Sequence, residues 1–411
     1  MLADAFGFDV VQGRDLSPLQ VISVNSSKTV RRSVVVVGAF PPPVNGMSRN
    51  IDIVATDLAR ITDVVRADLS VGQSVRTIGY HLRRSLAALR ACRVILRNAK
   101  NAAPSLCIAA DGQLGLVYTL ICVLTARFSG HQIHVQHHSF SPINRHSWLM
   151  RLFVLAGGSR LHHVFLCDVM RRRFIERYPG ARSHLVSSNA RYTPPQVRRI
   201  DPTSTVRIGL LSVLSEDKGL YRFIDVLDAC RQRNLPVAGL LAGPAEKPAD
   251  RDAIAAAQRR LGDRLDYVGP LYGADQANFY RSIDVFIFPT AYVNEAQPNV
   301  LFEAMSYGAA IISNIRGCIA EDVTPECGLL ARPGEDFVAS AVAQIAHWCR
   351  SPEQLRDAQH ASAARLAMLH NAANGDYTRL LNQIAGVCPE ASKLAFDKPD
   401  GSNTLERIKL G

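Results

Sequence analysis

Apolar runs alternate with amphipathic stretches along most of the chain. Ser33 to Gly38 (SVVVVG) is a near-continuous β-branched run, as in a parallel strand buried on both faces. A helix-periodic stretch with Ile51, Ile53, Val54 and Leu58 follows it. Ser105 to Ala109, the alternating His131 to Ser139 and Val164 to Leu166 read as further strands, with a helix over Met170 to Tyr178. Leu185 to Ala190 closes this first half. In the second half, Arg207 to Leu214 (RIGLLSVL), Gly239 to Ala242, Leu265 to Val268, Val285 to Phe288 and Ala310 to Ser313 read as strands. Strands alternating with helices predict parallel sheets joined by right-handed crossovers. Pro194-Pro195 and Asp201-Pro202 mark a linker. The expected division is a tail at residues 1–31, an α/β domain at 32–196 and a second at 197–370. Residues 371–411 are expected to hold a crossover helix at Tyr377 to Ile384 and a polar tail from residue 390.

The composition, 47% apolar and 20% charged, is that of a globular protein. Nine cysteines lie scattered in apolar segments without CxxC or zinc-like spacing, which predicts reduced thiols in a cytoplasm. No charged-then-apolar signal peptide is read at the start. The longest apolar helix candidate, Leu114 to Ala126, has 13 residues, short of the ~20 that a bilayer needs. A cytoplasmic protein, soluble or peripheral on the inner membrane face, is expected. Charge is divided unevenly. Residues 1–200 hold 26 Lys+Arg against 10 Asp+Glu, and residues 201–411 hold 21 against 26, so +16 and −5 give the total of +11. Arg83, Arg84, Arg90, Arg93 and Arg97 recur along one helical stretch, and Arg171, Arg172, Arg173 and Arg177 form a second group. Such a surface suits anionic lipid headgroups. Nucleic acid is not expected, since no recognition motif is present and aromatic residues are 7%.

The densest chemistry lies between Asp284 and Gly308. A buried strand (DVFIFP) leads through a loop with Glu295 to Pro298, a residue suited to a helix start. Leu301, Phe302, Ala304 and Met305 then form an apolar helical face that ends at Gly308. Free N–H groups at a helix start favour a phosphate. Glu303, one turn in, suits hydroxyls such as a ribose diol, because an ionised carboxylate only accepts hydrogen bonds. The ensemble reads as a nucleotide-sugar site. Four histidines lie between His131 and His138. Zinc is the competing reading there, but successive strand residues face opposite sides, and no cysteine pair or carboxylate completes a tetrahedral set.

The spacing of Glu295 and Glu303, with the proline between them and Phe288-Pro289-Thr290 upstream, resembles the E-x7-E donor-site signature of retaining glycosyltransferases of family four. The resemblance implies the GT-B fold, an α/β architecture of two Rossmann-like domains with parallel sheets facing across a cleft. A second segment is similar to that family: the strand ending near Leu214, then Lys218-Gly219. There the family's lysine contacts the donor diphosphate. The family's arginine five residues earlier is here Val213, so one phosphate contact is missing or supplied from elsewhere. The loop after the first strand carries Gly46 at the family's glycine position, and His138, with His137 as the alternative, matches the family's histidine near the transferred sugar. By this resemblance Glu295, Lys218 and His138 are the catalytic candidates. Glu303, Gly46, Gln297, Pro298, Asn299 and Val300 bind the donor, and Arg316 and Gly317 are further cleft candidates. No metal and no cofactor beyond the nucleotide-diphosphate sugar is implied. The expected acceptor is a glycan or a lipid-linked saccharide of cell-surface polysaccharide or glycolipid synthesis. A non-catalytic scaffold of the same fold, binding a glycan or a membrane partner, is the alternative that Val213 raises.

Overall fold

The computed structural model describes residues 33–42, 46–71, 78–101, 103–110, 112, 115–196 and 205–387. The expected N-terminal tail, Asp201-Pro202 and the polar tail lie outside them. The first β-branched run is β1 (Ser33–Gly38). It pairs with β2 (Asp63–Asp68) on one side and β3 (Ser105–Ala110) on the other, and β4 (Gln132–His137), β5 (Leu161–Phe165) and β6 (Ser183–Val186) extend the sheet. All pairings are parallel. Each crossover carries helix: α1 (Gly46–Ala59), α2 (Ile78–Asn98), α3 (Leu116–Phe128), the short α4 (Ser141–Asn144), α5 (Trp148–Gly157) and α6 (Asp168–Arg177). Residues of α2, α3, α5 and α6 cover one face of the sheet, and α1 covers the other. This two-sided burial is why the central strands read as unbroken apolar runs.

The second lobe repeats the scheme. Its sheet has the order β12-β11-β10-β7-β8-β9, also parallel. The strands are β7 (Val206–Leu211), β8 (Val237–Ala242), β9 (Leu265–Tyr267), β10 (Val285–Phe288), β11 (Ala310–Asn314) and β12 (Gly328–Ala331). Between them run α7 (Leu220–Gln232), α8 (Pro248–Leu261), α9 (Gly273–Ser282), α10 (Asn299–Ser306) and the short α11 (Ile319–Asp322); α12 (Phe337–Arg350) follows β12. The strand expected to reach Leu214 stops at Leu211, so Ser212 and Val213 belong to the loop above it.

The expected crossover at Tyr377 to Ile384 is the end of a longer helix, α13 (Pro352–Ala385). Its first half packs Leu355, Ala358 and Leu366 into the second-lobe core. Its last turns pack Tyr377, Leu380, Leu381 and Ile384 on Val34, Val36, Ile51 and Val54 of the first lobe. One continuous helix therefore braces both lobes.

Two sequence expectations need correction. Cys167, just after β5, and Cys318, after β11, are joined in a disulfide with Cα atoms 5.9 Å apart, rather than standing as reduced thiols. They lie 151 residues apart and meet because the ends of those two strands face each other, which no spacing rule reveals. Arg84 does not join the exposed basic row either. It is buried on the inner side of α2 and donates to the Leu69 carbonyl. No helix among the described residues is long and apolar enough to cross a membrane.

Candidate active site

In an open parallel sheet the crevice forms outside the carboxyl ends of the strands, where the strand order reverses. The reversals fall between β1 and β3 in the first lobe and between β7 and β10 in the second. The loops after β1, β4, β7 and β10 meet there around a cavity of about 500 Å³. Gly46, His138, Lys218, Glu295, Gln297, Pro298, Asn299, Val300 and Glu303 all line it. Candidates drawn from four separate segments thus share one cleft.

The second-lobe wall is built from the Lys218-Gly219 turn and the loop that precedes α10. Gly219 has φ +90°, and a Cβ there would come 2.4 Å from Pro289, so only glycine lets this turn lie against the end of β10. Lys218 Nζ donates to Glu295 Oε2 at 2.6 Å, and Thr290 Oγ1 donates to the same oxygen at 3.2 Å. The ammonium also stands 4.9 Å from the Tyr292 ring centre, within cation–π range. Glu295 is buried, so its charge is held by these partners rather than by water.

Glu303 bridges the two lobes. Its Oε1 accepts from Arg49 Nη1 of α1 at 3.0 Å, while Oε2 accepts from Gln276 Nε2 and Tyr280 Oη, both at 2.8 Å. Burial, reinforced by the Glu303 carboxylate, raises the Tyr280 phenol well above its ordinary range and fixes it as the donor. Pro298 caps α10, and helical geometry begins at Asn299. Asn299 Nδ2 donates to Asn50 Oδ1 at 3.2 Å, and Asn50 Nδ2 donates to Asn189 Oδ1 at 3.0 Å. Gln297 accepts from the Asn189 backbone N–H at 2.8 Å and donates to both Asp322 oxygens at 2.9 and 3.1 Å. Its amide is engaged on both sides as a strut between the lobes. Asp322 is enclosed below this strut, and burial lifts its carboxyl to about 8 despite the Gln297 hydrogen bond.

On the first-lobe wall, His138 and Ser139 follow β4, and His138 Nε2 lies 3.3 Å from Gln136 Oε1. Desolvation pushes the His138 imidazole down to about 4, so it is neutral at physiological pH. His137 faces the other way. Its Nε2 lies 2.9 Å from His163 Nδ1, and its ring stacks on Phe165, inside the core and away from the cavity. Alternation along the strand separates the two histidines. Gly46 opens α1, and a Cβ there would meet only Asn299 at 3.6 Å, so the protein's own packing does not demand glycine.

Arg316 and Gly317 stand behind this wall, not in it. Arg316 lines a separate cavity with Arg222 and Arg332. Gly317 has φ +51°, and a Cβ there would sit 2.3 Å from the Glu295 carbonyl oxygen; it buttresses the Glu295 loop. Several cavity residues escaped the sequence reading: Arg49, Asn50, Asn189, Tyr272 and Gln276. Arg49 carried a usable signal, since it lies three residues after Gly46 on the same helix and shares its face. Among the described residues lining the cavity, Arg49 and Lys218 are the fixed cations, and Val213 lines it as an exposed apolar side chain.

Residues 205–349, the span that holds Lys218, Glu295 and Glu303, match the family described as glycosyl transferases group 1. No curated protein matches the chain in sequence. Solved structures do resemble it in fold. A glycosyltransferase from Rickettsia africae ESF-5 superposes with a TM-score of 0.64 at 11% identity, over 86% of this chain and 98% of its own. The sucrose-phosphate synthase of Thermosynechococcus elongatus gives 0.62 at 14% identity, over 87% and 100%. Anabaena Alr3699/HepE, in complex with UDP-glucose, gives 0.61 at 16% identity, over 84% and 99%. The chain has the GT-B fold. The family match, which covers the second lobe, is to glycosyl transferases.

Proposed function

We propose that the chain is a retaining glycosyltransferase that moves a sugar from a nucleotide-diphosphate sugar to a glycan or lipid-linked acceptor in cell-surface polysaccharide or glycolipid synthesis. The observation that carries this reading is the single cavity in which Lys218, the start of α10 and Glu303 form one wall opposite Gly46 and His138. The diphosphate would lie across the α10 N-terminus, where backbone N–H groups are free to receive it. Lys218 would leave Glu295 to meet the charge that develops on the leaving phosphate. Arg49 supports the same step from the opposite lobe, as the cation that the Val213 position lacks. Glu303 would take the ribose hydroxyls in exchange for Arg49. Glu295, with Lys218 drawn away, would face the sugar together with neutral His138. No lone nucleophile is assigned: attack from the face of the departing diphosphate is the reading that fits a wall built of phosphate-holding groups. No step in this scheme is assigned to a metal.

Incubation with UDP-, GDP- and ADP-sugars tests the reading. Release of the nucleoside diphosphate from one of them is expected, slow without acceptor. Binding of a nucleoside diphosphate with no release from any sugar, with or without glycan acceptors, would favour the scaffold reading to which Val213 points.

A further inference from the structure

Of the 17 large hydrophobic side chains exposed among the described residues, 11 lie on three neighbouring helices of the first lobe: five on α2, three on α3 and three on α5. Three of the other six, Val213, Tyr272 and Tyr292, belong to the cavity. We propose that the outer face of α2, α3 and α5 is a docking surface for an anionic lipid bilayer. The proposal goes beyond the glycosyl-transfer reading and does not depend on it.

The spacing along each helix makes the face. Leu82, Leu86, Leu89 and Leu96 recur at intervals of four, three and seven on α2 and fall on one stripe. Arg93 lies within that stripe, and Arg83, Arg90 and Arg97 run along its edge. Ala87, Ala88, Ala91 and Ile95 take the opposite side into the core. On α3, Val117, Ile121 and Phe128 repeat the pattern, with Phe128 86% exposed. On α5, Trp148 is 65% exposed and is followed by Leu152 and Leu155, with Arg151 beside them. The three stripes join, because α3 packs against both α2 and α5. Thr125 Oγ1 of α3 donates to Cys92 Sγ of α2 at 3.3 Å, and Tyr118 meets His81 at 3.1 Å.

The charge decides the occupant. Residues 78–160 hold nine arginines and one lysine against a single carboxylate, Asp111, and none of the three helices carries an acidic residue. A second copy docked through the same face would set arginine against arginine. An anionic bilayer instead accepts leucine, phenylalanine and tryptophan into the acyl boundary while arginines reach the phosphates. The N-termini of α2, α3 and α5 follow the carboxyl ends of β2, β3 and β4, so the apolar stripes begin on the crevice side of the first lobe. Docking would present the His138 wall towards the membrane.

Vesicle sedimentation of the full-length protein tests this, with phosphatidylcholine alone and mixed with phosphatidylglycerol, at low and physiological salt. Pelleting is expected with the anionic vesicles only, and weaker at the higher salt. The surface variants Leu82→Ser/Leu86→Ser/Leu89→Ser and Arg90→Gln/Arg93→Gln/Arg97→Gln should each weaken it by roughly tenfold or more. Both replace exposed residues, so their thermal unfolding should match the parent chain. Trp148 emission should shift to the blue on binding, and Trp348, which is buried, should not respond. Equal pelleting with neutral vesicles, an unmoved Trp148, or a lipid-free dimer that the serine variant dissolves would overturn the proposal, the last in favour of a second copy.

Discussion

Replacing Glu303 with alanine should produce two effects that a second substitution can separate. The carboxylate holds three donors, one of them the Tyr280 hydroxyl, whose side chain is almost fully buried. Removing it strands that hydroxyl at a cost of about 1–3 kcal/mol. Loss of the Arg49 pair adds at most about 1 kcal/mol, because the arginine is 48% exposed and screened by water. The same carboxylate is proposed to receive the ribose, through charge-assisted hydrogen bonds worth roughly 1.5–3 kcal/mol. The ligand must first displace Arg49, so the net loss belongs at the lower end, near 1.5 kcal/mol or roughly tenfold in affinity. Calorimetry with nucleoside diphosphates reads the affinity, and chemical unfolding reads the stability. Adding Tyr280→Phe to Glu303→Ala removes the stranded hydroxyl. The double variant should regain stability without regaining affinity. If Glu303→Ala binds the nucleoside diphosphate as tightly as the parent chain, the ribose assignment is wrong. If the double variant is no more stable than the single one, the hydroxyl is not the source of the loss.

Lys218→Ala should lower turnover more than Lys218→Arg, since a cation is needed where leaving-group charge develops; steady-state rates at the parent level in both variants would reduce Lys218 to a surface residue. Arg49→Gln should weaken nucleoside diphosphate binding but tighten free nucleoside binding, because it frees Glu303 for the ribose; isothermal titration with the two ligands compares them. The buried histidines predict acid sensitivity. Burial holds His134 and His163 at about 3 and His138 at about 4, below their unfolded value of 6.5. Their contribution is complete above 6.5 and is lost as pH falls towards 4, so unfolding free energy should drop steeply between pH 6.5 and 4. Asp322 acts in the opposite sense: raised from 3.8 to about 8, it favours the fold below 3.8 and loses that contribution as pH rises through 8. Asp322→Asn should flatten the decline between pH 5 and 8 in a series of thermal unfolding curves.

Strands such as β1 and β10 were legible because both their faces are buried, which leaves no polar position to obscure the run. The edge strands β2 and β12 were not read. β2 (DVVRAD) carries the exposed Asp63, Arg66 and Asp68, and β12 is only half-buried at three of its four residues. The cavity residues from Glu295 to Glu303 were legible because they are neighbours in sequence, on one loop and one helix start. Arg49 and Asn189 were not, since their place opposite Glu303 and Gln297 arises only when the lobes face each other. His137 and His138 were indistinguishable by type and adjacent in position; the pleat of β4 alone assigns one to the core and the other to the cavity.

Cys167–Cys318 has a mechanical consequence. Two rigid bodies joined at one point can swing and twist about each other freely; joined at two, they keep a single rotation about the line through both pins. The chain crosses after β6 and again along α13; the two crossings lie side by side, with His370 Nδ1 3.1 Å from the Ala190 carbonyl oxygen, and form the first pin, and the disulfide is the second. Opening of the cavity then follows one arc, with α13 bridging both lobes as the spring that resists it. Along that arc Arg49 and Glu303 would part and meet on a fixed track. Reducing the bond removes a pin and restores the twisting freedom. The two walls would then have to find each other again through a wider set of orientations before a ligand could touch both.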